Sequence, residues 1–409
     1  MAKQNKPAIR FKGFTDAWEQ RELGEIVKEV TRNDPTAEAP IMMITANNGF
    51  IEQSERYAFD NAGESLKKYI LLQKGELAYN HGASKLRPFG SCFALTTAES
   101  ARIPFVYHCF SAENQNAEFL SIELNGSEVE SQLRKIVSSG ARMDGLLNIS
   151  FDEYSTVTVL LPDIKEQEHI ADFFRNLDHL ITLHQRKYDK LQVLKKAMLE
   201  KMFPKNGSSV PEIRFKGFTD AWEQRKLGEV ANLLTGFPFE SKKFVREGIK
   251  LVRGMNVKRG YLDFSEELCE YWSSSQGLEN YLLNSGDILI QMDGALIGKS
   301  YAKIKENQLP ALLVQRVTRV RIQNQIADES FVYQQIQKGF LTYIKGTKTE
   351  TAVPHLSLND IESFEIATPS VDEEKKIGAF FESLDHLITL HQRELEKLQN
   401  IKKSMLEKM

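Results

Sequence analysis

Two long segments of this sequence occur twice. The segment IRFKGFTDAWEQR occupies Ile9–Arg21 and recurs letter for letter at Ile213–Arg225. A second segment, LDHLITLHQR, occupies Leu177–Arg186 and recurs at Leu384–Arg393. Internal repeats of this kind indicate that one structural unit is built twice, which constrains the fold more than any single motif does. A chain of 409 residues is also too long for one ordinary core, so we expect two copies of one module.

The two copies differ in their middles. Residues 26–148 and 230–355 share almost no run of letters. They nevertheless keep one outline, because YILLQKGELAYN and YLLNSGDILIQM each place a glycine-containing turn before a short strand. Each predicted strand leads into a polar loop that contains glycine, at His81–Gly90 in the first copy and at Asp293–Ser300 in the second. The chain therefore has nearly identical ends and divergent centres.

The segment from Glu166 to Met202 carries a heptad repeat without Gly or Pro, and the second copy keeps the same frame. This pattern predicts a long helix that packs as a coiled coil. At ~1.5 Å per residue, such a helix is on the order of 55 Å long. Among the residues of the predicted seam are Leu177, His184, Leu191, Leu384, His391 and Leu398.

We expect the two helices to pack antiparallel on each other, although a heptad stripe alone could also bind a helix of a partner. His184 and His391 would then lie near the midpoints of the two helices. A polar pair that fixes the register of the seam is the simpler interpretation. A metal site or a pH switch is the alternative, but two imidazoles fall short of the four ligands that zinc takes.

The predicted fold class is α+β, with two globular domains separated by two long antiparallel coiled-coil helices in a cyclic pseudo-two-fold repeat. A duplicated pair of binding modules on fixed spacers suits a bipartite target on a linear polymer such as DNA. The expected segments are a first globular domain, a first spacer helix, a linker, a second globular domain and a second spacer helix, at residues 1–165, 166–202, 203–212, 213–372 and 373–409.

Polar and basic side chains cluster in the predicted loops of both middles. Arg, Lys, Asn and Gln can read base edges, and Lys, Ser and backbone amides can hold phosphates. Any one of these residues could instead be a solvated surface charge. The DNA-binding candidates of the first copy are Tyr79, Asn80, Ser84, Lys85, Arg87, Ser138, Ser139 and Arg142. Those of the second copy are Arg253, Lys258, Arg259, Gln291, Lys299, Lys345, Thr347 and Lys348.

The sequence gives no positive sign of a catalytic site. The loop DGALIGKS has only three residues between Gly294 and Gly298, whereas a Walker A loop needs four, and Asp293 stands where the first glycine belongs. There is no HExxH, GxSxG or GxGxxG motif. The three cysteines lack the spacing of zinc ligands, so we expect no metal site and a reduced, cytoplasmic protein. No apolar stretch is long enough to span a membrane.

Taken in order and twice over, these features resemble the specificity subunit of a type I DNA restriction–modification system. The resemblance covers nearly the whole chain. It depends on the FTDAWEQR lead-in at Phe14–Arg21 and Phe218–Arg225, on GELAYNHGASKLRPFG and GDILIQMDGALIGKS, and on the paired LDHLITLHQR helices. None of these is a strict motif by itself.

The resemblance implies two target-recognition domains, each reading one half of a split site in double-stranded DNA, with the helices setting the gap. It implies no catalysis and no cofactor on this chain. Two modification subunits would supply S-adenosylmethionine and adenine methylation, and restriction subunits would supply ATP- and Mg2+-dependent translocation and cleavage. Two alternatives stay open: a two-headed scaffold that binds RNA or protein, and an enzyme built on the DGALIGKS loop.

Overall fold

The structure is a computed structural model of the 409-residue chain and describes residues 6–46, 49–55, 63–137, 146–205, 207–294, 296–347 and 355–409. The chain forms two compact units. Unit 1 comprises Met1–His184 and Glu394–Met409, and unit 2 comprises Gln185–Arg393. The unit boundaries therefore fall inside the two long helices, whereas the predicted segments end where the helices begin. Each unit includes the C-terminal part of the helix that follows the other middle.

Unit 1 has mixed α and β structure. Its strands are β1 (Glu19–Glu22), β2 (Val27–Glu29), β3 (Met42–Thr45), β4 (Gly49–Glu52), β5 (Ile70–Gln73), β6 (Leu77–Asn80), β7 (Ser91–Ala94), β8 (Ser100–Ile103), β9 (His108–Ala112) and β10 (Thr158–Leu161). Its helices are α1 (Ala117–Leu124), α2 (Ser127–Ile136), α3 (Phe151–Ser155) and the first part of α4 (Ile164–Lys201). The main sheet is antiparallel, in the order β2-β9-β6-β7, and β1 pairs with β10.

Unit 2 follows the same plan. Its strands are β11 (Glu223–Lys226), β12 (Ala231–Thr235), β13 (Ile249–Val252), β14 (Glu270–Trp272), β15 (Ile288–Gln291), β16 (Tyr301–Lys303), β17 (Ala311–Leu313), β18 (Val317–Ile322) and β19 (Glu365–Thr368). Its helices are α5 (Leu227–Val230), α6 (Glu329–Gln335), α7 (Leu341–Thr347), α8 (Leu358–Glu362) and the first part of α9 (Val371–Lys408). The order β12-β18-β15-β16 repeats that of β2-β9-β6-β7, and β11 pairs with β19 as β1 does with β10.

Identical sequence produces identical local structure at the start of each unit. Trp18 and Trp222 are both buried, and each packs edge-on against a phenylalanine, Phe119 or Phe331. A helix N-cap positions each of these phenylalanines, since the side chain of Asn116 or Asp328 accepts a hydrogen bond from its backbone N–H. The core at this end of each unit is thus formed by residues from both the repeated and the divergent segments.

A bidentate ion pair attaches the N-terminal segment of each unit to its long helix. Arg10 binds Glu166 in unit 1 at 2.7 and 2.6 Å, and Arg214 binds Glu373 in unit 2 at 2.7 Å through both nitrogens. Both glutamates are fully buried. A planar guanidinium and a carboxylate form two parallel hydrogen bonds in this geometry. The pair therefore fixes how the two side chains are oriented, in addition to bringing opposite charges together.

The long helices run over Ile164–Lys201 and Val371–Lys408, so each begins slightly earlier than the heptad pattern predicted. Within unit 1, Met405 and Met409 pack on the core formed in part by Ile170 and Phe174, and Lys402 binds Asp178 at 2.5 Å. The α4 and α9 segments of this unit are therefore antiparallel, because residues near the start of α4 contact residues at the end of α9.

Unit 2 repeats this packing with the helices exchanged. Leu191 and Met198 of α4 pack on the core that includes Leu384 of α9, and Lys195 binds Asp385 at 2.6 Å. These two lysines and aspartates occupy equivalent positions in the sequence repeat. Among the predicted seam residues, Leu177 and Leu384 are buried and Leu191, Leu398, His184 and His391 are half-buried. The register role predicted for the two histidines stays a prediction.

Candidate nucleic-acid interface

Five of the predicted DNA contacts lie at the end of β6 or in the loop that follows it, and the first of them is a core residue. Tyr79 is 1% exposed, its ring stacks on Tyr154 at 3.9 Å, and its hydroxyl donates to the carbonyl of Phe89 at 2.6 Å. Burial raises the pKa of Tyr79 well above its ordinary value. This burial argues against the prediction that Tyr79 contacts DNA, because β6 is covered on both faces, with Leu77 and Tyr79 in one core and Ala78 in another.

Asn80 and Gly90 fix the shape of this loop. The Asn80 amide donates to the carbonyl of Ile44 at 3.1 Å, and its oxygen accepts from the N–H of Gly82 at 2.9 Å. Gly90 has a φ of 82°, and a Cβ atom there would lie 2.5 Å from the Asn80 carbonyl oxygen. Asn80 therefore positions the loop, and its amide is already committed to backbone groups.

The tip of the loop is a tight turn that separates the remaining candidates. The N–H of Ser84 donates to the carbonyl of Arg87 at 3.0 Å, and the Ser84 hydroxyl accepts from the Arg87 N–H at 3.0 Å. Arg87 turns inward and donates to the carbonyl of Asn125 at 2.7 Å, and burial lowers its pKa. Lys85 is exposed at the tip. Of the loop candidates, Lys85 is therefore the cation that the fold leaves available, and Arg87 serves the core instead.

The loop after β6 also contacts the segment that begins at Leu146. Gly82 pairs with Leu146, and the N–H of Leu147 donates to the carbonyl of His81 at 2.9 Å. Both ring nitrogens of His81 lie within hydrogen-bond distance of carbonyl oxygens, of Leu147 at 2.8 Å and of Val106 at 2.6 Å. Ser138, Ser139 and Arg142 precede Leu146 in the sequence and lie outside the described residues.

The equivalent strand–loop junction of unit 2 has the same connection. Asp293 pairs with His355, and the N–H of Leu356 donates to the carbonyl of Met292 at 2.7 Å. Arg316, with a positive φ of 68°, binds Asp293 at 2.8 Å. The side chain of Gln291 lies against Gly254, so the loops after β13 and β15 meet at this point. The strands β6 and β15, which hold equivalent places in their sheets, thus end in equivalent pairings.

Two candidates that follow β13 have different surroundings. Arg253 donates to the carbonyl of Leu268 at 2.8 Å and faces Glu270 at 3.8 Å. Its guanidinium therefore supports the loop, and the prediction that it reads bases is not favoured by this geometry. Lys258 opens a tight turn closed by a hydrogen bond from its N–H to the carbonyl of Tyr261 at 3.0 Å.

The turn after Lys258 presents an exposed cation and an exposed aromatic ring together. Arg259 is exposed, and Tyr261 is 59% exposed. Gly260 between them has a φ of 91°, which glycine adopts without strain. Tyr261 was missing from the candidates, although the letters KRGY in a predicted turn would have indicated it. Arginine and an aromatic side chain in one turn can combine phosphate contact with stacking.

The other candidates of unit 2 lie at the ends of elements. Lys299 and Lys345 are exposed. Thr347 is exposed as well, but its hydroxyl donates to the carbonyl of Tyr343 at 3.0 Å within α7. Lys348 lies outside the described residues.

The geometry of the DGALIGKS loop argues against a nucleotide site. A phosphate-binding P-loop connects a strand to the N-terminus of a helix. Here Ser300 is buried and the chain continues into a strand, Tyr301–Lys303. Asp293 at the start of the loop is paired with Arg316. Within the described ranges, no group of three or more His, Cys, Asp or Glu side chains is placed to hold a metal ion.

A search of the helices in the described part of the chain finds none that is long and apolar enough to cross a membrane.

The comparison with protein families finds a match in the second half of the chain. The family model for the type I restriction modification DNA specificity domain matches residues 219–400. That range holds the divergent loops of unit 2 and most of α9. Residues 219–400 are therefore similar to a type I restriction modification DNA specificity domain.

Two curated relatives extend the similarity. The type I restriction enzyme MjaVIII specificity subunit of Methanocaldococcus jannaschii is 25% identical over 70% of this chain and 67% of its own length. The EcoAI specificity subunit of Escherichia coli is 25% identical over 61% of this chain and 41% of its own length. The chain is thus related to specificity subunits of type I restriction–modification systems. Both names agree with the prediction of a specificity subunit, and neither supports the RNA- or protein-binding scaffold.

A solved structure shows that the fold is shared. The crystal structure of the type I restriction–modification system S subunit from M. genitalium superposes with a TM-score of 0.63, at 14% identity, over 98% of each chain. At this identity the likeness concerns the fold, and it supports the predicted mixture of helix and sheet.

Proposed function

We propose that this chain is the DNA-specificity subunit of a type I restriction–modification complex and that each unit reads one half of a bipartite target. One observation carries the proposal: the buried framework is repeated almost unchanged while the exposed loops on it diverge. The ion pairs Arg10–Glu166 and Arg214–Glu373 exemplify the framework. The turn at Ser84–Arg87 and the hairpin turn at Lys258–Tyr261 exemplify the loops. A repeated scaffold with two different reading surfaces suits two different half-sites.

The DNA contacts would come from the exposed cations on these loops. Lys85 in unit 1 and Arg259, Lys299 and Lys345 in unit 2 are exposed. Contacts to phosphate would position the protein, and contacts to base edges in the major groove would specify sequence. The net charge of −3 fits a subunit whose partners share the phosphate contacts.

The repeated helices would dock the partners and set the gap. Identical sequence in α4 and α9 offers equivalent surfaces to two copies of one modification subunit, and restriction subunits would join them. S-adenosylmethionine, ATP and Mg2+ would be bound by those partners. Because an α-helix rises by about 1.5 Å per residue, the number of residues in the helices would determine how many base pairs stay unread.

Methylation mapping tests the reading function directly. The chain would be co-expressed with its modification subunit in a host that lacks such systems, and methylated adenines would be located by single-molecule sequencing. A split motif with a fixed gap would support the proposal and identify both half-sites. If the complex assembles without new methylation, the proposal fails and the RNA- or protein-binding scaffold must be reconsidered.

Lengthening the helices tests the spacer role. One heptad inserted after Lys187 and one after Glu394 adds about 10 Å along the helices, which corresponds to about 3 base pairs of DNA. The expected result is the same half-sites separated by a longer gap. Seven residues inserted into the linker after Ser209 provide the matched control, and they should leave the gap unchanged. An unchanged gap in the helix variant would refute the spacer role.

A further inference from the structure

Two leucines outside the long helices are exposed to solvent. Leu86 is 60% exposed and Leu296 is 51% exposed, which are the largest values for leucine among the residues that the structure describes. Every other exposed leucine in that part of the chain lies on α4 or α9. One exposed apolar side chain on a protein surface is ordinary. Two of them at matching places in two units of different sequence require an explanation.

The two leucines occupy matching loops. Leu86 lies in the loop after β6, and Leu296 lies in the loop after β15. These strands hold equivalent places in the sheets β2-β9-β6-β7 and β12-β18-β15-β16. The residues on either side of the leucine differ, since one loop reads SKLRP and the other reads GALIG. The units therefore share an exposed leucine at this place although its sequence neighbours are different.

In unit 1 the backbone on both sides of Leu86 is fixed by hydrogen bonds. The N–H of Ser84 donates to the carbonyl of Arg87 at 3.0 Å, and the N–H of Arg87 donates to the Ser84 hydroxyl at 3.0 Å. The guanidinium of Arg87 donates to the carbonyl of Asn125 at 2.7 Å, which attaches the residue after Leu86 to the body of the unit. The turn thus holds Leu86 in one backbone position and leaves its side chain in solvent.

In unit 2 a different set of contacts produces the same presentation. The carbonyl of Leu296 accepts hydrogen bonds from the N–H groups of Lys299 at 2.9 Å and Ser300 at 3.0 Å. The next residue, Ile297, packs against the core of the unit. Gly298 has a φ of 73°, which lets the chain turn back after Ile297. In each loop, therefore, the leucine is exposed and the residue that follows it is anchored.

We propose that Leu86 and Leu296 each contact the C5-methyl group of a thymine in the half-site that their unit reads. The inference rests on the proposed function, which assigns these loops to the reading of DNA. The thymine methyl is the apolar group that a base presents in the major groove, and apolar side chains recognise it. An exposed cation accompanies each leucine, since Lys85 directly precedes Leu86 and Lys299 follows Leu296 by three residues. The cation can hold a phosphate while the leucine reads the base.

Replacing thymine by deoxyuridine tests the contact, because this change removes only the methyl group. Methylation mapping supplies the sequence of the duplex, and the chain assembled with its modification subunit is the protein tested. Deoxyuridine at every thymine of one half-site should weaken binding about fourfold, which is the value expected for burying one methyl-sized group. Competition binding measures the ratio for each half-site separately. Equal affinity for the thymine and deoxyuridine duplexes would overturn the proposal for that unit.

Alanine variants assign the methyl contact to one side chain. Leu86→Ala should abolish the discrimination between thymine and deoxyuridine in one half-site and leave it intact in the other, and Leu296→Ala should do the reverse. Both side chains are exposed, so neither variant should lower the melting temperature of the chain. The matched control is Val210→Ala in the linker, where the valine is 44% exposed, and it should change neither ratio.

A leucine that only shapes its loop would give a different result. Its alanine variant would bind the thymine and deoxyuridine duplexes more weakly by the same factor, and that outcome overturns the proposed contact. The result also separates the two proposals. A split methylation motif whose binding is insensitive to deoxyuridine in both half-sites overturns the role of the leucines alone, whereas the absence of a split motif overturns the proposed function and this inference together.

Discussion

Units 1 and 2 share a buried ion pair but differ at the next residue of the helix. In unit 1, Gln167 accepts a hydrogen bond from the N–H of Asn116 at 3.0 Å. In unit 2, Glu374 accepts the equivalent bond from Asp328 at 2.7 Å, and its other oxygen has no hydrogen-bond partner among the described residues. Burial raises the pKa of Glu374 to about 7. The same backbone contact thus has a neutral partner in one unit and an ionisable one in the other.

This difference shows which parts of a duplicated scaffold are constrained. The arginine–glutamate pair is retained in both copies, and removing either partner would leave a buried charge. The neighbouring position needs an acceptor for one N–H, and Gln and Glu both supply it. The divergent middles, by contrast, keep the strand order and change the loops. Framework positions where only one residue pair can make the contact are identical in the two units. Positions where several residue types can make it differ between the units.

The largest expected effect tests whether the two ion pairs are equivalent. Arg10→Ala and Arg214→Ala each leave a buried glutamate unpaired, which costs about 3–5 kcal/mol of unfolding free energy. The measurement is denaturant unfolding together with hydrogen exchange of each unit. Losses of similar size, each confined to its own unit, are expected. A variant with little loss would show that its pair contributes orientation without stability.

The second effect depends on pH. The folded-state pKa of Glu374 is above the ordinary value of 4.5, so the folded state holds a proton that the unfolded state releases. Stability therefore falls as pH rises from about 4.5 to about 7, and the penalty is complete above that range. Glu374→Gln removes it and should stabilise unit 2 by about 1–3 kcal/mol at pH 8, with little gain at pH 4.

The reverse substitution in unit 1 is the matched control. Gln167→Glu should destabilise unit 1 at pH 8 and not at pH 4, as judged from thermal unfolding at both pH values. Equal effects at the two pH values would mean that the substitutions act through packing and not through ionisation.

The third effect concerns DNA. Arg259→Ala and Lys85→Ala should each weaken binding of the assembled complex by about 1–3 kcal/mol at a base contact, with relaxed preference at one position of one half-site. At a phosphate contact, affinity would fall evenly across sequences and the salt slope would shrink by about 1. Competition binding on variant duplexes at several salt concentrations separates these cases. Arg253→Ala is the comparison, since its side chain is held by Leu268 and Glu270.

The smallest expected effect is the difference in stability lost when either of the two equivalent helix ion pairs is removed. Lys195 is 13% exposed and also binds Gln337, whereas Lys402 is 34% exposed. Lys402→Ala should cost about 0.2–1 kcal/mol, as exposed pairs do. Lys195→Ala should cost more, because its partners are less solvated. Thermal unfolding of both variants at low and high salt measures the difference, and a larger loss for Lys402→Ala would contradict it.

Sequence alone predicted the duplication, the long helices and the strand–loop junctions, because each follows from a pattern of neighbouring residues in the sequence. Heptad spacing predicted α4 and α9 to within a few residues of their bounds. Glycine-containing turns before apolar runs predicted β6 and β15. The same reasoning placed Tyr79 and Arg87 in a DNA interface, and the structure turns both inward.

For Arg87 and Arg253 the inward orientation has one physical reason. A polar side chain in a loop can face solvent or bind a backbone carbonyl, and the choice depends on what lies opposite it. For Arg87 the carbonyl of Asn125 lies opposite, and for Arg253 the carbonyl of Leu268 does. Such partners are distant in sequence, so spacing does not reveal them. The sequence by itself determined that one scaffold is built twice, whereas tertiary packing decided which loop cations face solvent and which bind backbone carbonyls.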